Sequence, residues 1–262
     1  MDWVNCVLNI NVYNFNKLIV SLSILLFLLQ YSVSIKSEEM KSAFSGQLDI
    51  GGSLTSGNTD TTRLDVEINI RNLKGRFEDN FRVLGTFSED NKETTEQRFL
   101  ISYESYLELR KNLFGFSYIK FDDDNFSGFN YEIEASAGSG YKLINEKDLR
   151  ILIQGGPGYR YSKKINGTLP RGQTNTHSNS TLTARGNIRL EYDISDDVFL
   201  SNNLSITWDS QRTRIDENIS LSNNLIGNIL TRISLNIRHN TNPPEFRKKT
   251  DTNTKVSIVY NF

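Results

Sequence analysis

Beyond residue 43 the chain alternates. Over residues 182–194, Leu182, Ala184, Gly186, Ile188, Leu190, Tyr192 and Ile194 share one parity, while Thr183, Arg185, Asn187, Arg189, Glu191 and Asp193 share the other. Successive side chains of a strand point to opposite faces, so this spacing predicts a strand with one apolar and one charged face. Residues 229–239 repeat it: Ile229, Thr231, Ile233, Leu235 and Ile237 oppose Arg232, Ser234, Asn236 and Arg238. The last stretch puts Val256, Ile258, Tyr260 and Phe262 on one side. No helical period persists. Read this way, the chain carries twelve strands, over 44–56, 61–73, 76–89, 94–109, 113–122, 130–143, 149–162, 179–195, 198–209, 214–226, 229–239 and 250–262. Faces on 113–122 are ambiguous, because Phe114, Phe116 and Tyr118 compete with Leu113, Ile119 and Phe121.

The connections alternate too. Tight turns fall at Lys74-Gly75, 110–112, 145–148, Asp196-Asp197 and Gly227-Asn228. The intervening connections are mostly longer and polar, at 89–94, 122–129, 163–178, 209–213 and 239–249, with 57–60 the short exception. Short turns on one rim and long loops on the other mark a membrane barrel. Ten residues rising about 3.3 Å each span roughly 33 Å, which a tilt of about 40° reduces to roughly 25 Å, the height of the apolar band. A soluble sandwich or lipocalin-like barrel would use strands of about five or six residues and put its charges outside. The expectation is an all-β fold: a transmembrane antiparallel β-barrel of about twelve strands, a single domain over 44–262.

Upstream lies an address. Lys17 precedes the mostly apolar run Leu18 to Leu29, the length of a signal-peptide core and short for a membrane helix, and Ser32-Val33-Ser34 offers small residues for cleavage. Residues 1–34 thus read as a signal peptide and 35–43 as a short N-terminal segment. Thirty Lys+Arg against 31 Asp+Glu leave a net charge of -1, against a nucleic-acid partner, which needs a basic excess. The one cysteine, Cys6, excludes a disulfide framework and a Cys-ligated metal site, and two histidines exclude an all-His zinc site. No cofactor and no metal are expected.

Several stretches carry a family resemblance: 56–62 (SGNTDTT), Glu89-Asp90-Asn91 with Glu93-Thr94-Thr95, 126–131 (FSGFNY), 155–160 (GGPGYR), Asn242-Pro243-Pro244, and 248–252 (KKTDT). With these the chain resembles the YdiY-like family of salt-induced outer-membrane proteins, a domain-of-unknown-function family, over about 44–262. The ending Val256, Ile258, Tyr260, Phe262 resembles the signal read by the outer-membrane assembly machinery. The resemblance implies a cell outer-membrane location, a salt or osmotic-stress link, and as partners membrane lipid, lipopolysaccharide, the assembly machinery and periplasmic chaperones. It brings no substrate and no catalytic residue. A monomer is expected.

Parity sends many charges inward: Asp49; Arg63, Asp65, Glu67 and Arg71; Glu78 and Arg82; Glu104; Glu132, Glu134 and Lys142; Arg150 and Arg160; Arg185, Arg189 and Glu191; Arg232 and Arg238; Lys255. These read either as a narrow polar channel with charge rings or as a plug of ion pairs. Asp122, Asp123 and Asp124 sit in an expected outer loop, where carboxylates could bind a cation or a solvated turn could form. His239, near Asn240 and many serines, raises a lipid hydrolase as the contrasting class, though no motif supports it and no catalytic residue is assigned. A soluble periplasmic binding protein is the third class. Tyr103, Tyr106, Tyr118, Tyr131, Tyr141, Tyr159, Tyr161, Tyr192, Trp208 and Tyr260 recur towards strand ends, where aromatic girdles anchor barrels.

Overall fold

The structure is a computed structural model and describes residues 42–55, 61–90, 93–124, 129–165, 176–243 and 248–262. The expected signal peptide lies outside the described residues. Twelve strands form among those described: β1 (Ser42–Thr55), β2 (Thr61–Lys74), β3 (Phe77–Asp90), β4 (Glu93–Glu108), β5 (Leu113–Asp124), β6 (Phe129–Asn145), β7 (Leu149–Ile165), β8 (Thr176–Asp193), β9 (Val198–Trp208), β10 (Thr213–Ile226), β11 (Ile229–Asn240) and β12 (Thr250–Asn261). Each pairs antiparallel with its neighbours in sequence, and β1 pairs β12 to close the barrel. Closure leaves no strand edge, which matters because lipid offers no hydrogen bonds to an open one.

The barrel is inverted relative to a soluble protein. Its outer face carries Leu182, Val256, Ile258 and Leu64 at 79, 58, 61 and 50% exposure. Inward positions carry Asp49, Glu134 and Arg160 at 2, 1 and 2%. The period-two pattern does this directly: one parity dissolves in acyl chains and the other is sequestered. Positive φ at Gly75 and Gly227 forms the tight turns after β2 and β10, a conformation glycine adopts without steric cost. Between β6 and β7 the backbones crowd, and a Cβ on Gly156 would stand 2.1 Å from the Ala137 carbonyl oxygen.

Several expectations change. β5, β6 and β7 run further than expected, to Asp124, Asn145 and Ile165, while β9 and β12 stop one residue short, at Trp208 and Asn261. Asp90 pairs Glu93, so β3 and β4 are joined by two residues rather than a long loop. Lys163 pairs Ser178, which shortens the connection expected over 163–178. Tyr106 and Tyr118 do not join the outer girdle. They point inward, because β5 turns Phe114, Phe116 and Tyr118 into the barrel, resolving its ambiguous faces. Tyr103, Tyr141, Tyr159, Tyr192, Trp208 and Tyr260 are exposed on the outside.

Candidate functional site

A cavity of about 700 Å³ occupies the lumen towards the rim bearing the longer connections. Its wall is built from strand segments near that rim, from Arg63 on β2 and Arg98 on β4 to Lys120 on β5, Arg214 on β10 and Lys255 on β12. Most of these side chains are charged, because the inward parity of the contributing strands is mostly polar there, with Leu84 on β3 and Leu100 on β4 as apolar exceptions.

Arg214 organises one wall. Its Nε donates to Asp216 (2.9 Å), its Nη1 to Glu132 (3.3 Å) and its Nη2 to Glu134 (2.8 Å). Glu134 also receives Lys120 Nζ at 3.1 Å and the Thr207 hydroxyl at 3.1 Å, with Arg185 Nε at 3.7 Å. Glu132 receives Ser162 at 2.9 Å and pairs with Arg212, while Asp209 pairs with Arg160. Burial is the largest influence on Arg212, in the β9–β10 connection, and with neighbouring Arg214 it lowers that guanidinium's pKa below its ordinary value. In a low-dielectric interior such charges persist only where partners satisfy them.

The facing wall is also paired. Arg63 meets Asp65 (2.9 Å) and Glu96, Arg82 meets Glu67 (2.9 Å), and Arg98 grips Asp122 through two hydrogen bonds of 2.7 and 2.8 Å. On β1, Asp49 is shared by Lys255 (3.0 Å) and Arg232 (3.2 Å).

Deeper in, the lumen turns aromatic. Tyr106 and Phe114 meet edge to face at 5.4 Å, and Phe116 is buried with them. Arg189 donates to the Tyr106 hydroxyl (3.0 Å) and pairs with Glu104 (3.3 Å), which also accepts from Gln154 (2.7 Å). Near the tight-turn rim Arg71 pairs Glu78 (2.9 Å), Arg150 pairs Glu191 (3.0 Å) and Lys142 lies 3.8 Å from Glu108.

The predicted lumen residues therefore meet one another, and pairs join distant strands: Arg238 reaches Asp124 (3.3 Å) on β5 and Asp216 (3.6 Å) on β10. The expected Asp122–Asp124 loop is corrected. These residues end β5, and Asp122 and Asp124 face inward onto Arg98 and Arg238, because the strand continues to pair with β4. Among the described residues no group of three or more His, Cys, Asp or Glu is arranged to hold a metal. His239 meets the Thr250 hydroxyl at 2.8 Å across the β11–β12 pair. The side chain of His177 lies outside the described residues. Arg98, Lys120, Asp209, Arg212, Arg214 and Asp216 escaped the sequence reading. Alternation was there to find most of them: Lys120 and Asp122 flank Phe121, and Arg214 and Asp216 flank Ile215.

A family model described as "Protein of unknown function, DUF481" matches residues 48–262, and the chain belongs to that family. No curated protein matches its sequence. Among solved structures, the NanC porin is similar at TM-score 0.51 and 12% identity, over 81% of this chain and 98% of that one. An outer membrane channel from Pseudomonas putida F1 is similar at TM-score 0.50 and 10% identity, over 88% and 98%. At these identities the likeness is one of fold.

Proposed function

We propose that this DUF481 member is an outer-membrane barrel through which small polar solutes or ions cross passively. One observation carries the reading: an apolar jacket encloses a charged cavity of about 700 Å³ beside the longer connections. That volume lies within the usual range of small-molecule sites, about 300–1,000 Å³, so it admits a solute rather than water alone. Export by the N-terminal signal and assembly through the β12 residues Val256, Ile258 and Tyr260 with Phe262 just after them complete the proposal, with lipid, lipopolysaccharide, the assembly machinery and periplasmic chaperones as partners. Transport of this kind is passive and has no catalytic step. Selectivity follows from the width left by Tyr106, Phe114 and Phe116 and from the charges above them.

A second reading is a structural envelope barrel. The aromatic cluster and the Arg189–Glu104 pair favour it, since together they obstruct the deeper lumen. A role under salt or osmotic stress accompanies either reading through the family resemblance alone. Reconstitution of the protein in a planar bilayer separates the two. Steady conductance steps support the channel; a silent, correctly folded barrel supports the structural role.

A further inference from the structure

We infer that the cavity wall formed by β5, β8 and β10 binds a small oxyanion, such as an organic carboxylate, through Arg185, Lys120 and Arg214 beside Tyr118. The inference rests on the channel reading and adds the charge of the solute.

Charge is unevenly divided across the cavity. One wall brings together five cations, Lys120, Arg160, Arg185, Arg212 and Arg214, against four carboxylates, Glu132, Glu134, Asp209 and Asp216. Widening this circle adds Arg189 and Arg238 with Glu104 and Asp124, which makes seven cations to six carboxylates. The facing wall holds three cations, Arg63, Arg82 and Arg98, against four carboxylates, Asp65, Glu67, Glu96 and Asp122. An anion entering between them is drawn to the first wall.

The donors there are not exhausted. The side chains of Arg160 and Arg185 are 2 and 8% exposed, yet Nε and Nη1 of Arg160 and Nη1 of Arg185 lack hydrogen-bond partners. Buried charged donors are ordinarily satisfied. Arg185 lines the cavity, and its guanidinium lies over the Tyr118 ring, 4.0 Å from its centre. Its Nη1 is 4.0 Å from Glu104 Oε1, beyond hydrogen-bond reach. Glu134 shows what the wall is shaped to hold, since one carboxylate there is approached by Lys120, Arg214 and Arg185 at 3.1, 2.8 and 3.7 Å. A guanidinium fork matches carboxylate or phosphate geometry. Asn203 and Ser205 border the same cavity with neutral polar groups.

Isothermal titration of the detergent-purified full chain tests this, with citrate, inorganic phosphate, choline and glucose as probes. Citrate should bind, more weakly as salt rises, while choline and glucose do not. Phosphate binding as tightly as citrate would identify recognition of any oxyanion; citrate alone would identify a carboxylate site. Arg185→Gln and Lys120→Gln should each weaken citrate at least tenfold, and Arg76→Gln at the opposite rim should leave it unchanged. Should Arg185→Gln not refold, Arg185→Lys keeps the charge but loses the planar fork, and it too must weaken citrate. The site is refuted if citrate does not bind, if choline or glucose binds as well, or if the folded Arg185 variants bind unchanged. A barrel silent in the bilayer that still binds citrate refutes the channel and keeps the site. A conducting barrel that ignores citrate does the reverse.

Discussion

Phe262 lays its ring over Gly46 at the seam where the last strand meets the first. A Cβ on Gly46 would stand 2.3 Å from that ring. The two residues also exchange backbone hydrogen bonds of 2.7 and 2.9 Å. Phe262 therefore helps to close the seam, and a side chain at position 46 must push its half-exposed ring aside. Gly46→Val should lower the fraction of heat-modifiable, fast-migrating barrel on unheated gels. Phe262→Ala should lower it less. The double variant should recover part of the Gly46→Val loss, because the ring that blocks the new side chain is gone.

The outer face sets a second expectation. Ile258 projects from β12 at 61% exposure. Ile258→Lys puts a charge in the acyl region towards the tight-turn rim, and it should cost less than the about 2–4 kcal/mol of a basic residue at the bilayer midplane but clearly destabilise the barrel. Asn253, on the same strand, lines the cavity. Asn253→Lys should change stability much less. Urea unfolding in lipid vesicles measures both.

The aromatic cluster narrows the deeper lumen, and its removal should widen it. Phe114→Ala removes a side chain 4% exposed that packs on Tyr106. Single-channel conductance should rise by a clear multiple. Stability should fall by up to roughly 3–5 kcal/mol, as for other large buried aromatics. A barrel that stays silent after this substitution supports the structural reading.

Glu134 is shared by three cations, Lys120, Arg185 and Arg214. Glu134→Gln leaves Lys120, Arg185 and Arg214 with one anion fewer, and breaking a buried pair in this way costs roughly 3–5 kcal/mol. The reversal potential across a salt gradient should move towards anion selectivity. Lys120→Gln should move it the opposite way.

Sequence alternation was most informative where both parities were chemically distinct. On β8, β11 and β12 one face is apolar and the other charged or polar, so parity alone named Arg185, Arg189, Arg232, Arg238 and Lys255. On β5 aromatics stand on both parities, and their assignment needed the register Phe116 opposite Gly138 and Tyr118 opposite Ser136. The inward aromatics face the small residues of β6, and a Cβ on Gly140 would collide with Phe114 at 2.2 Å. Asp122 and Asp124 show a related limit of the pattern. Three adjacent acidic residues look like a solvated turn until Arg98 and Arg238 are known to stand beside two of them.

From its sequence alone the chain determined an antiparallel membrane barrel, which parity faces lipid, and that ionic side chains would fill the interior. Those properties follow from period-two alternation, because each strand sorts its own side chains between two solvents. Only the tertiary structure decided which charge meets which: Arg214 reaches Glu134 across 80 positions of chain. It alone also decided where the lumen is open and where Tyr106 and Phe114 fill it. Ion-pair partners and cavity volume depend on closure, tilt and register between strands, and these are set by the whole ring rather than by any one strand's pattern.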